Sequence, residues 1–127
     1  MPLVRIDVPE SLSVARAAAL SEAVHAALVA HAGVPVDDRF HVISRHEADG
    51  LVIDAGFLGI RRGAEAAIVA ITFRKGRSDE AKRALYRAIV EGASAKAGMR
   101  PEDVMIVLAE NTLIDWSFGM GVAQYAP

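Results

Sequence analysis

The sequence predicts an α/β (α+β) domain in which a β-α-β unit is used twice, giving a four-stranded sheet with two helices on one face. Three observations lead there. The two halves read alike when displaced by 65 positions, with Gly33 falling on Gly98, Ser13 on Ser78, Leu20 on Leu85, Asp38 on Asp103 and Val42 on Val107. Apolar residues alternate with polar ones in short runs and recur every third or fourth residue in longer ones, the periods of strand and helix. Each helical run closes on a glycine with a proline soon after, Gly33 then Pro35 and Gly98 then Pro101.

Taken in order, Val4, Ile6 and Val8 alternate with Arg5 and Asp7, the pattern of a half-buried strand opening at Leu3. A first helix is expected from Ser13 to His31, with Leu20, Val24 and Leu28 one turn apart on a single stripe. Gly33 stops it, as a C′ residue that accepts a left-handed backbone, and Pro35 prevents its resumption. Phe40 to Ser44 reads as the second strand. The stretch Gly56-Phe57-Leu58-Gly59-Ile60-Arg61-Arg62-Gly63 is glycine-punctuated but matches no phosphate-binding spacing, so it reads as a connector.

The second half repeats the plan. Ala66 to Phe73 is almost wholly apolar and predicts a strand buried on both faces. Ser78 is an N-cap, Asp79 and Glu80 suit the positive end of the helix dipole, and Leu85, Ala88 and Ile89 form the buried stripe. Gly98 and Pro101 end that helix, and Val104 to Ala109 is the fourth strand. The expected organisation is one domain over residues 1–127, with repeats at about 1–47 and 66–112, a connecting loop and a C-terminal hairpin. Each β-α-β unit implies a right-handed parallel crossover. Both helices then lie on one face, leaving the other apolar and uncovered, which calls for association with further chains.

Composition narrows the function. At 127 residues with 53% hydrophobic and 24% charged side chains, the chain suits one globular domain with a real core. It contains no cysteine, which removes disulfides, thiolate metal sites and a cysteine nucleophile together. The net charge of −2 argues against nucleic acid as a partner. No apolar run is long enough for a membrane span and no signal-peptide layout opens the chain, so a cytoplasmic protein is expected.

Few residues offer chemistry. Pro2 follows Met1, and a small residue in second position permits removal of the initiator methionine. Pro2 would then present a secondary amine, where an unperturbed α-amino group titrates at about 7.7–8.0. A retained methionine would block that amine. Arg74, Lys75 and Arg77, with Lys82 a turn into the helix, gather cations where a strand meets a helix N-terminus. That is a place to hold an anion, with arginine forks matched to carboxylate, or else a solvated basic turn. Asp38 follows the turn Gly33-Val34-Pro35, where the sequence by itself does not distinguish a helix-capping or turn aspartate, the commoner case, from a catalytic one. His25 and His31, and His41 and His46, lie at spacings poor for a shared metal, so packing or surface roles are expected and no metal site. Asp115-Trp116-Ser117-Phe118-Gly119 sets two aromatics in a glycine-flanked turn.

The proline start, the duplication and the closing Glu110-Asn111 with Asp115-Trp116-Ser117-Phe118-Gly119 together resemble the tautomerase superfamily over nearly the whole chain. Within it the chain is similar to the malonate semialdehyde decarboxylase group, through Gly33-Val34-Pro35-Val36-Asp37-Asp38-Arg39-Phe40. The resemblance implies a homotrimer built around a central sheet barrel, with the amino-terminal proline at the floor of a pocket. It implies that Pro2 and Asp38 are catalytic, that Arg74 is the first of two substrate-holding arginines, and that Trp116 and Phe118 form a hydrophobic wall. One departure stands out. The group's two arginines are separated by one residue, whereas this chain reads Arg74-Lys75-Gly76-Arg77, so either Arg77 or Lys75 takes the second place, or nothing does. The expected function is a tautomerase acting on a small carboxylated enol or keto acid, without a cofactor. The alternatives are a malonate semialdehyde decarboxylase-like lyase and a non-catalytic trimeric binding protein.

Overall fold

Strand β1 runs from Pro2 to Pro9 in a computed structural model that describes residues 1–127. It is followed by α1 (Val14–His31), β2 (Phe40–His46), β3 (Ala67–Arg74), α2 (Asp79–Ala97) and β4 (Val104–Asn111). Local chemistry sets the helix ends. The Ser13 hydroxyl accepts the Arg16 N–H (3.2 Å) and the Ser78 hydroxyl accepts the Ala81 N–H (3.1 Å), each satisfying a donor the helix leaves free. At the far end of α2, Gly98 takes a left-handed backbone (φ 63°) and returns its N–H to Ser94 and Ala93. Gly33 adopts the same conformation (φ 67°) one residue beyond the cap of α1.

The sheet order is β2-β1-β3-β4, with β1 parallel to β2, β3 parallel to β4, and the two halves joined by the antiparallel β1–β3 pair. The register makes the duplication geometric. Leu3 pairs with Phe40 as Ile68 pairs with Met105, each residue displaced by 65 positions. Arg5 pairs with Ala70, its own counterpart at that displacement, so a pseudo-two-fold axis passes between them. This arrangement brings four chain segments to one sheet end: the starts of β1 and β2 and the finishes of β3 and β4.

The core lies between the sheet and the helices. Val4, Ile6 and Val8 of β1 and Val69, Ile71 and Phe73 of β3 are buried against Leu20, Val24 and Leu28 of α1 and Leu85 and Ile89 of α2. The helices pack closely because Gly92 faces Ala23, where an added Cβ would sit 2.9 Å from the alanine methyl.

Three expectations change. Beside the buried positions of β3, Ile68, Ala70 and Thr72 are only half-buried, because nothing covers the sheet's second face within one chain. Ala88 lies at the margin of the core, while Ala93 and Ala97 extend the buried stripe of α2. The closing segment forms no hairpin: after β4 come a 3-10 turn at Leu113–Asp115 and then bends and turns. Gly119, Met120 and Gly121 all have positive φ, and three such residues in succession are incompatible with an extended strand. Elsewhere, no helix is long and apolar enough to cross a membrane.

Candidate active site

At the sheet end just described, a cavity of about 310 Å³ is lined by Met1, Gly33, Pro35, Asp38, Arg74, Arg77, Leu113 and Tyr125. Its contents follow from topology. Pro2 begins β1 and pairs with Phe73, the penultimate residue of β3, so the start of the chain lies beside Arg74, which ends β3, and Arg77 just beyond it. The loop entering β2 brings Asp38. The segment leaving β4 brings Leu113, and the tail folds back to bring Tyr125.

Met1 is buried, and its amine donates to Asp38 Oδ2. That amine titrates at about 6, below the 8.0 of an ordinary terminus, because burial disfavours its charge and because Arg77 and then Arg74 add positive potential. The carboxylate of Asp38 acts in the opposite sense, favouring the ammonium. A nitrogen here is thus poised between one anion and two cations near neutral pH.

Arg77 is heavily engaged. It donates from Nε (3.0 Å) and Nη2 (2.8 Å) to the carbonyl of Ala32 and from Nη1 (3.0 Å) to the carbonyl of Arg74. Its guanidinium carbon stands 4.3 Å from the centre of the buried Phe73 ring. Gly76, at φ 124°, absorbs the additional residue between the arginines and turns Arg77 back into the cavity. Lys75 follows a different course: its N–H extends the ladder to the carbonyl of Asn111 (2.8 Å), and its exposed side chain is not part of the lining. Lys82 is drawn away by Glu110 (3.0 Å).

Asp38, Arg74 and Arg77 therefore converge with the Met1 amine, and Pro2 stands one residue behind that amine outside the lining, whereas Trp116 and Phe118 line a neighbouring hollow of about 390 Å³ with Leu3, Phe40, Thr72 and Asn111. There Trp116 stacks on Phe118 (5.6 Å, 8° between planes) and donates from Nε1 to Asn111 Oδ1 (2.7 Å). Tyr125 joins the two hollows, lining the first and meeting Phe118 edge-on at 5.4 Å. Tyr125 and Leu113 have no motif of their own, since tertiary folding alone brings them to the cavity. The histidines form no shared ligand set, and no group of three or more His, Cys, Asp or Glu residues is disposed to hold a metal.

Comparison with known proteins gives this constellation its class. Residues 38–119 match a family described as tautomerase enzyme, and residues 2–57 match a second family of the same description. The chain is 37% identical to the probable tautomerase YusQ of Bacillus subtilis (strain 168), across 98% of both proteins. It superposes on FG41 malonate semialdehyde decarboxylase inhibited by 3-bromopropiolate with a TM-score of 0.91 and 36% identity, covering 97% of this chain and 93% of the other. Against the symmetric trimer of a fused 4-OT (Q0, wild type) the TM-score is 0.78 at 28% identity, with 98% of both chains covered. The protein belongs to the tautomerase family.

Proposed function

We propose that loss of Met1 leaves Pro2 as the catalytic amine of a keto–enol tautomerase acting on a small carboxylated enol or keto acid. The observation that supports this best is the convergence of an amine, one carboxylate and two guanidinium groups on a single cavity. Adjacent Cα atoms are about 3.8 Å apart, so exposing Pro2 moves the amine inward by about one residue while keeping it at the same sheet end. The burial and the two arginines that lower the titration of the Met1 amine would act in the same direction on an amine at Pro2, favouring the neutral form a general base requires.

In the proposed reaction the Pro2 nitrogen takes the enol hydroxyl proton and returns a proton to carbon, giving the ketone. The spare N–H groups of Arg74 and Arg77 hold the substrate carboxylate, and their charge stabilises the enolate as it forms. Asp38 sets the balance between the two forms of the amine. Trp116 and Phe118, reached through Tyr125, supply an apolar surface beside the pocket. Our reading includes cytoplasmic action, where initiator methionine is removed, and assembly as a homotrimer. The likeness to a trimeric fused 4-OT supports the assembly, as does the exposure of Leu3, Val42, Met105 and Val107 on the uncovered sheet face.

A second reading, decarboxylation of a β-oxo acid such as malonate semialdehyde, is favoured by the likeness to FG41 malonate semialdehyde decarboxylase and by the Asp38 contact. An ammonium at Pro2, held by Asp38, would polarise the substrate carbonyl, which accepts the electrons of the breaking C–C bond as carbon dioxide leaves. One sample tests both readings. Its intact mass shows whether Met1 is absent, and phenylenolpyruvate and malonate semialdehyde are then offered to it. Ketonisation that falls by about 10²–10⁴-fold in Pro2→Ala is the expected result. Carbon dioxide release without ketonisation would transfer the assignment to the lyase, and a processed chain inert to both would leave the binding protein.

A further inference from the structure

Asp38 sits in the loop between α1 and β2, and that loop has little regular structure of its own. Its internal bond is a turn in which the Asp38 N–H donates to the carbonyl of Pro35 (3.1 Å). Its remaining fastenings come from outside. Arg77 holds Ala32 at one end, and at the other Arg39 donates to Ser21 Oγ (2.8 Å) and to Glu22 Oε1 (2.6 Å) on α1. Between them stands His25 of α1, whose Nε2 meets the carbonyl of Val36 at 2.8 Å, two residues before Asp38.

His25 is an expensive residue to place there. It is 8% exposed, on a helix whose other buried positions are mostly alanine, leucine and valine. Because a carbonyl only accepts, Nε2 must carry a proton, and in the neutral ring Nδ1 is then an acceptor. That nitrogen is buried with no partner. The ring of His41 on β2 stands edge to face with that of His25, centroids 6.0 Å apart; it bonds Ser21 through Nδ1 (2.7 Å), and its own Nε2 is likewise buried and unpartnered. A leucine would fill this space without an orphaned polar atom. What a leucine lacks is the bond to Val36.

We infer that His25 is a positioning residue for the reaction: its Nε2–H clamps the Val36 carbonyl and thereby holds Asp38 at the cavity, where it meets the Met1 amine in this structure and would face the Pro2 amine once Met1 is lost. The inference rests on the assignment of Pro2 as that amine, and it gives α1 a part in setting the amine's protonation. Removing the clamp lets the loop drift, separates Asp38 from the amine and withdraws the one anion that favours the ammonium. The amine's titration then moves to lower pH.

The test follows the amine directly, by ¹⁵N NMR titration of processed protein labelled at proline. In His25→Phe the midpoint of Pro2 falls by about one unit, the size of effect expected on losing an adjacent opposite charge. His25→Gln, which restores an N–H donor, returns it toward the wild-type value, and in an Asp38→Asn background His25→Phe moves it no further. A folded His25→Phe protein with an unchanged midpoint overturns the inference, since a purely structural histidine would alter melting temperature alone. Should that variant fail to fold, the wild-type imidazole spectrum decides: a proton on Nε2 is required, and an Nδ1–H tautomer overturns the clamp. Because the readout is titration rather than turnover, an inert wild-type enzyme would sink the proposed function without touching this result. An active enzyme with an unmoved midpoint would sink only the clamp.

Discussion

A single nitrogen between opposed charges explains why this cavity can favour one protonation state, and the direction of its pH dependence identifies the reaction. Burial, Arg77 and Arg74 lower the affinity of a terminal amine for its proton, while Asp38 raises it. A tautomerase needs the neutral amine, so kcat/KM should rise with pH through the amine's titration and level off above it. A decarboxylase using the ammonium should show the reverse, a fall over the same range. We expect the rising limb. Arg77→Ala removes positive potential, strengthens proton binding and shifts that limb to higher pH; Asp38→Asn shifts it to lower pH. Profiles from pH 4.5 to 9, recorded on the wild type and both variants, check the signs, and a limb insensitive to Arg77 would refute the electrostatic account. At this scale the sequence was informative where residues were close in the chain or marked by a motif. That Asp38 and Arg74 line the cavity at which the chain begins was legible, but which of Lys75 and Arg77 faces it depended on the φ of Gly76. Tyr125 could not be read because the tail reaches the cavity only by folding back. Trp116 and Phe118 were recognisable as a pair, but their place in the adjoining hollow depends on contacts with Phe40 and Asn111.

The elements were legible to within a residue or two because each is specified locally. Serine caps, left-handed glycines and apolar periodicity coincide at both helices, and this agreement between levels makes a boundary readable. The closing segment lacks that agreement. Its aromatic residues suggest a strand, while Gly119, Met120 and Gly121 impose turns, and the backbone requirement prevails. Helix packing yields a prediction that helix propensity alone would reverse. Alanine in place of glycine within a helix ordinarily gains about 0.8–1.0 kcal/mol. At Gly92 the new methyl would meet that of Ala23 at 2.9 Å, with no flexible side chain to yield, so α1 and α2 must separate. Overpacking of this kind costs about 1–3 kcal/mol, enough to outweigh the propensity. Gly92→Ala should therefore lower the melting temperature, as calorimetry can measure. A rise would mean that the helices accommodate one another more readily than their contact implies.

For the whole molecule, duplication supplies two equivalent sheet ends but only one set of chemical groups. The pseudo-two-fold axis between Arg5 and Ala70 relates Pro2 to Ala67, Arg74 to Pro9 and Arg77 to Leu12. Asp38 has its counterpart in the buried Asp103, which accepts the Gly63 N–H (2.7 Å) and fastens the connector instead of facing an amine. The opposite end retains a cavity of about 400 Å³, lined in part by Pro9, Glu10, His46 and Ala66, without the arginine pair. What the duplication does preserve is the sheet's uncovered face, where Leu3, Phe40, Val42, Met105 and Val107 are each between 42% and 47% exposed. Arg5 stands among them, between Val42 and Ala70, but so many exposed apolar side chains on one face are rarely left to solvent. Association in threes through this face is the assembly we propose. Val107→Asp puts a carboxylate on its β4 portion without entering the core, so it should dissociate the trimer while preserving secondary structure. Sedimentation velocity should find the wild type at three times the 13.5 kDa chain mass and the variant at the mass of one chain, with unchanged far-ultraviolet circular dichroism. A wild type that sediments as one chain would refute the assembly, and a variant that remains trimeric would move the interface away from this face.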